Sequence, residues 1–343
     1  MLGLSLAALS TPLAKAQPSA ATPGGTAPYH VARTFQVGGE GGWDYLTVDA
    51  EHKLLYVPRS THTMVLDAGS GQTVADIPGQ KRNHGVAIVA SAGRGFITDG
   101  ADASVTVFDL KTYAVLGKVK TAEDSDGIIY DPASSKVLVV CGDAGVLIPI
   151  SSSLDLATGK ADAPVALGAK PEFLAADGRG KAYINLVDKD QVAVVDTRTM
   201  KVVNKWATSP GGSPVGMAMD PARRRLFIGC RKPQKLIVMS ADDGKVLADL
   251  PIGAGVDATK FDGNVFASCG DGTLTVARET SPGQFQVVQT VATPRGARTM
   301  GVDSTTHEVF LPTAEFEPQT QGQSRPRPKP GTFKIVVVTL AGK

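Results

Sequence analysis

The sequence predicts an all-β, seven-bladed β-propeller with four antiparallel strands per blade, and three observations predict it. One pattern recurs seven times at a period of about 42 residues: a small apolar stretch, a residue that is usually Asp, a polar turn, then a β-rich run. The 38 Gly and 22 Pro exceed average usage, which calls for many tight turns but falls short of a disordered bias. Helical 3.6-residue periodicity holds over no useful window.

The copies read YLTVDAEHKLLYV, VAIVASAGRGFIT, GIIYDPASSKVLVV, FLAADGRGKAYIN, GMAMDPARRRLFIG, ATKFDGNVFAS and TMGVDSTTHEVFL. Their anchors are Asp49, Ala90, Asp131, Asp177, Asp220, Asp262 and Asp303, spaced by 41, 41, 46, 43, 42 and 41 residues. In the fifth copy VGMAMD reads as the inner strand, RRLFIGC as the second, KLIVMSA as the third and KVLADLPI as the outer one. Polar turns with Asp, Gly and Pro separate them. Third strands commonly end in Asp before a short polar turn (VLDAGSGQT, VFDLKTY, VVDTRTM). The seventh copy runs out at its third strand, FKIVVVTL. Residues Val31 to Val37 (VARTFQV) have an outer-strand pattern and are expected to pair beside Ile335 to Thr339, closing the ring. Without closure, two apolar blade faces would stand in water.

The repeats resemble the YVTN-type β-propeller repeat of the WD40/YVTN superfamily, and the chain resembles the YncE-like exported seven-bladed propellers over Tyr29 to Lys343. GGWDYLTVD, GRGFITDG, VDATKFD, GDGTLTV, GARTMGVD and LPTAEF resemble one bacterial subgroup of that family, whose members have no assigned activity. The Pro-x-Gly usual before the inner strand survives once, at Pro214-Val215-Gly216. The resemblance implies the fold. Individual function belongs where that position departs from the pattern.

In a propeller, same-numbered positions before the inner strands meet around one axis. Five residues before the anchors stand Asp44, Gly85, Asp126, Glu172, Val215, Asp257 and Arg298; one further back stand Trp43, His84, Ser125, Pro171, Pro214, Val256 and Ala297. Converging carboxylates repel, and either a raised pKa or a cation must relieve them. Arg298, between blades 6 and 1, is expected to neutralise Asp257 and Asp44. His84, Asp126 and Glu172, on blades 2 to 4, form a trio of hard oxygen ligands and an imidazole that suits a divalent metal ion or a general acid/base pair. Trp43 and Tyr45 add aromatic surface that either stacks a ligand or plugs the space between blades. The plain alternative is a solvated rim in which Arg82, Lys170 or Arg295 pairs with the acids.

The loop from Thr313 to Gly331 is long for a hairpin connection. It carries Glu315 and Glu317 at one end and the stiff, basic RPRPKP run at the other, and is expected to be a lid, a docking strap or a mobile insertion. Cys141, Cys230 and Cys269 end the second strands of three blades and read as small buried hydrophobes, with Cys230 and Cys269 the only conceivable pair. Residues 1–16 read as a signal peptide ending in Ala14-Lys15-Ala16, although its basic n-region is missing, and 17–28 as a linker. The expected product is a periplasmic or secreted monomer, residues 29–343 forming one propeller domain. With 35 basic and 33 acidic residues, nucleic acid is not an expected partner. The reading is a propeller that binds a small molecule or a protein at a charged central funnel. A lactonase-like, divalent-metal-dependent hydrolase or lyase at the same funnel is the first alternative, and a structural interaction scaffold the second.

Overall fold

The computed structural model of the chain describes residues 28–318 and 326–342. The leader expected at 1–16, most of the linker expected at 17–28 and the middle of the 313–331 loop lie outside them. The described strands form seven four-stranded antiparallel sheets, one per repeat copy. In blades 1 to 6 the strands run from inner to outer in chain order. Blade 5, for example, is Pro214–Asp220, Arg225–Arg231, Gln234–Ser240 and Val246–Pro251. A single 3-10 turn at Ala90–Ala92 is the one helical piece among the described residues.

Blade 7 joins Gly301–Val302, Val309–Thr313 and Lys334–Leu340 to the N-terminal strand Tyr29–Gln36. Val31 pairs with Val338 and Phe35 with Ile335, so the ring closes as the sequence predicts. The closing strand starts at Tyr29 because that residue is tied to blade 6. Its N–H donates to Gln289 at 2.8 Å, its carbonyl accepts from the Gln289 amide at 2.7 Å, and its ring meets Phe266 edge-on at 5.2 Å. A forked ion pair from Arg33 to Glu308 (2.5 and 2.8 Å) adds a charge-assisted stitch.

The repeated aspartates are turn-makers. Asp131 accepts from the amides of Ala133 and Ser134, Asp220 from Ala222 and Arg223, and Asp303 from Thr305 and Thr306. At the ends of third strands Asp67, Asp109 and Asp196 each take two amides and a hydroxyl from the turn that follows. Such side chain to backbone bonds replace ladder partners lost at the turn. Between blades the core is apolar: Leu138, Val140 and Leu147 of blade 3 pack on Leu174, Ile184 and Val195 of blade 4. Cys141, Cys230 and Cys269 are buried free thiols, and burial pushes the last two up to about 12. No helix among the described residues is long and apolar enough to cross a membrane.

Candidate functional site at the channel mouth

Strand pairing sets which residues are equivalent at the mouth. Ser125 pairs with Cys141, Pro171 with Leu186, Pro214 with Cys230, Val256 with Cys269, and Asn83 with Asp99. Each pair is followed by a register shift, so the next residue sits in a bulge that re-aims its side chain. The counterpart of Asp126 in blade 2 is therefore His84. The sequence register, counted back from Ala90, had put Gly85 there. Val89 pairs with Arg94 as Asp131 pairs with Lys136, which makes Val89 the true anchor. The seven-membered ring is Asp44, His84, Asp126, Glu172, Val215, Asp257 and Arg298.

Side chains of the second strands hold this ring to neighbouring blades. Thr98 Oγ1 donates to the Asp126 carbonyl at 2.8 Å, Asn185 Nδ2 to the Val215 carbonyl at 3.0 Å, and Ser268 Oγ to the Arg298 carbonyl. The three donors stand one residue before their strands' last residues. In blade 1 a buried arginine braces the loop that enters its own blade, while Thr299 Oγ1 of blade 7 donates to the Asp44 carbonyl at 3.0 Å. Arg59 is 0% exposed and donates to the carbonyls of Gly38, Gly41 and Gly42 at 3.0 to 3.1 Å. Its guanidinium lies 3.7 Å from the Phe333 ring centre, and burial lowers its pKa to about 10. Gly41 has φ +92°, and a Cβ there would stand 2.2 Å from the Arg59 carbonyl oxygen, so only glycine fits the loop that delivers Trp43 and Asp44.

His84 stands between two acids. Its Nδ1 lies 2.7 Å from Asp44 and 3.6 Å from Asp126. Burial works against charge on this imidazole, but the Asp44 hydrogen bond and the Asp126 and Asp44 charges outweigh it and push it up to about 9. Asp126 goes well above the usual carboxylate range, because burial and the Asp44 and Glu172 charges exceed the relief from His84. Glu172 rises to about 7 through burial and the Asp257 charge, opposed by Arg231. Arg298 bonds Asp257 at 2.9 Å, and Arg231 donates to the other oxygen of the same carboxylate. Asp44 accepts from His84 Nδ1, so the expected sharing of Arg298 between Asp44 and Asp257 is a direct contact only for Asp257.

The ligand atoms of Asp44, His84 and Asp126 all lie within 4.8 Å of one another, the group among the described residues that could hold a metal ion. Asp44 takes the place that the sequence trio assigned to Glu172, since the ring order puts Asp44 and Asp126 on either side of His84. A metal at Nδ1 would have to displace the proton that His84 holds against Asp44. Arg82 and Lys170 turn outward to Asp124, and Lys170 also to Asp143 at 2.9 Å.

Tyr45 fills the channel beneath the ring. It is 6% exposed, its ring centre is 4.6 Å from that of Phe173 across the axis, and burial and the charges of Asp257, Glu172, Asp126 and Asp44 drive its phenol well upward. Lys260, three residues beyond Asp257, sets its ammonium 5.2 Å from the Phe173 ring centre, and burial lowers it to about 8. Trp43 turns outward instead, against Phe316 and Phe333 at 6.1 and 5.4 Å. Phe316 belongs to the long loop, whose described ends form an arm: Glu317 N donates to Arg327 O at 2.8 Å and Lys329 N to Glu315 O at 2.7 Å. Between arm and ring lies a cleft of about 680 Å³, lined by Trp43 and Phe316, by Arg231, Arg295 and Arg298, and by a floor of glycines. Arg59, Arg231, Lys260 and Phe316 escaped the sequence reading. Arg59 and Arg231 occupy equivalent places at the end of a second strand, one residue beyond Pro58 and Cys230, where blades 2, 3 and 6 have Gly100, Gly142 and Gly270. Comparing that position across copies was the signal that could have found both.

The chain is similar to a solved structure described as Kuenenia stuttgartiensis hydrazine synthase, at 12% identity and a TM-score of 0.68, over 79% of this chain and 92% of that one. At that identity the likeness shows the propeller fold alone. No family model and no curated protein matches the chain.

Proposed function

We propose that the protein is an exported, monomeric, YncE-like propeller that binds a small molecule at the mouth of its channel. The observation that carries this reading is the cleft of about 680 Å³, within the usual range for small-molecule sites, in which aromatic walls meet several guanidinium groups. Tyr45 closes the channel below, so a ligand sits at the mouth and does not pass through. Trp43, Asp257 and Arg298 border or support that cleft. Asp44, His84, Asp126 and Glu172 form the opposite side of the mouth. The lactonase-like alternative would place its metal on Asp44, His84 and Asp126, where the imidazole proton already compensates the acids; the geometry favours binding over that chemistry. The N-terminal pattern and the YncE-like resemblance support export, with a mature start at Gln17.

A thermal-shift screen of the mature protein against a metabolite library tests the mouth, because a ligand of the native state raises the melting temperature. Ligands found this way are expected to lose their shift in Trp43→Ala. Shifts that persist unchanged in that variant place binding elsewhere. Equal melting with chelator and with excess Mn²⁺ or Zn²⁺ is expected; a rise with metal that His84→Ala removes would restore the metal reading.

A further inference from the structure

The charges around the cleft narrow the class of ligand, an inference that rests on the mouth being the binding site. Arg231 and Arg298 share the carboxylate of Asp257, which is 6% exposed in its side chain, and Arg231 Nε is taken by the Val256 carbonyl at 3.0 Å. Two guanidinium groups bond this one carboxylate, and although the Glu172 and Asp44 charges act on them from the ring, the cleft lining itself holds three arginines and a single acid. Arg298 keeps donors beyond the Nη1 that meets Asp257. Arg295, on the same lining, is exposed and has no ion pair among the described residues. Glu317, on the arm, is the one acid in the lining. Guanidinium forks match carboxylate geometry, and they keep their charge at every accessible pH.

Apart from Glu317, the rest of the lining is aromatic rings, proline and glycine backbone. Trp43 and Phe316 stand 6.1 Å apart between ring centres, inclined at 52°, and Pro328 stiffens the arm behind them. The floor is Gly42, Gly255, Gly270 and Gly296, so bare backbone faces the cleft. At Gly296 a Cβ would stand 2.4 Å from the Phe316 ring, so glycine is what lets the aromatic wall lie down on the blade. We propose that the cleft takes a small organic carboxylate with a flat apolar body, the anion on Arg298 and Arg295 and the body against Trp43 and Phe316.

The test uses 2-naphthoate, its neutral amide 2-naphthamide, and acetate, each titrated calorimetrically into the mature protein. Trp43 and Trp206 are the only tryptophans, so Trp206→Phe makes Trp43 fluorescence a second, local readout. The expected result is 2-naphthoate binding about tenfold or more tighter than either comparison compound, with a change in Trp43 emission. Arg295→Gln, at an exposed position, should weaken 2-naphthoate severalfold, leave 2-naphthamide unchanged and leave melting unchanged. Equal affinity for acid and amide would overturn the anion assignment while sparing the mouth as a site. Tighter binding of acetate than of 2-naphthoate would overturn the apolar half. No binding of any of the three would overturn the ligand class, whereas the mouth itself answers to the library screen. Binding that leaves both Trp43 and Arg295→Gln silent would overturn class and site together.

Discussion

On the blade 6 and 7 side of the mouth Asp257 is held by Arg231 and Arg298, whose charges persist at any pH the fold survives. On the other side Asp44 and Asp126 flank one imidazole and Glu172 stands next in the ring, and compensation is carried largely by protons: His84 is pushed up to about 9, Asp126 well upward, and Glu172 to about 7 with Arg231 opposing its rise. The two sides solve the same convergence of buried acids by different means. Permanent cations leave surplus charge and surplus donors, so that side can recruit an anion. Shared protons leave almost no net charge, so the acidic side is a pH-dependent brace.

The largest loss of stability is expected where the permanent charges are removed. Replacing both Arg231 and Arg298 by Ala takes both guanidinium groups from a buried carboxylate, and is expected to cost about 3–5 kcal/mol in denaturant unfolding at pH 7. His84→Ala is expected to cost on the order of 3 kcal/mol at pH 6, from a pKa raised from 6.5 to about 9 in a side chain 15% exposed. The sign follows from the raised folded pKa. This stability is complete below pH 6.5 and is lost as pH rises through about 9, so wild type and variant should converge near pH 10 in pH-resolved urea melts.

Glu172→Gln should move the other way. With a folded pKa of about 7 against 4.5, the carboxyl favours folding below pH 4.5, and that contribution is lost as pH rises through 7. The amide stays neutral, so at pH 8 the variant should be more stable than wild type by about 1–2 kcal/mol, and the advantage should disappear by pH 4. Arg295→Gln is the smallest case, within about 0.5 kcal/mol of wild type at any pH, since the side chain is exposed and its charge serves the cleft instead of the fold.

The fold was legible because each blade repeats its turn chemistry. Asp131, Asp220 and Asp303 recur for the amides they accept, and that recurrence also located Asp44, Asp126, Glu172, Asp257 and Arg298. The register failed in blade 2, where the anchor Asp is missing and a 3-10 turn at Ala90–Ala92 follows the strand; one residue of slip exchanged His84 for Gly85. Assigning His84 to a trio with Glu172 followed from giving Asp44 to Arg298, which hid the place of His84 between Asp44 and Asp126. Arg231 was missed for another reason. It reaches the ring from the end of a second strand, and residues that arrive from different strands have no fixed spacing in the chain. The cleft was invisible because Phe316 reaches Trp43 only through the folded arm, across more than 270 residues of sequence.

The most direct test of proton-held against guanidinium-held acids is the titration of the His84 ring by two-dimensional NMR, assigned by its loss in His84→Ala among the chain's five histidines. An imidazolium signal that holds through pH 7 and titrates near 9 is expected. A midpoint at or below 6.5 would contradict it, because His84 would then be neutral at pH 7 and the acidic side of the mouth would lack the charge said to brace it.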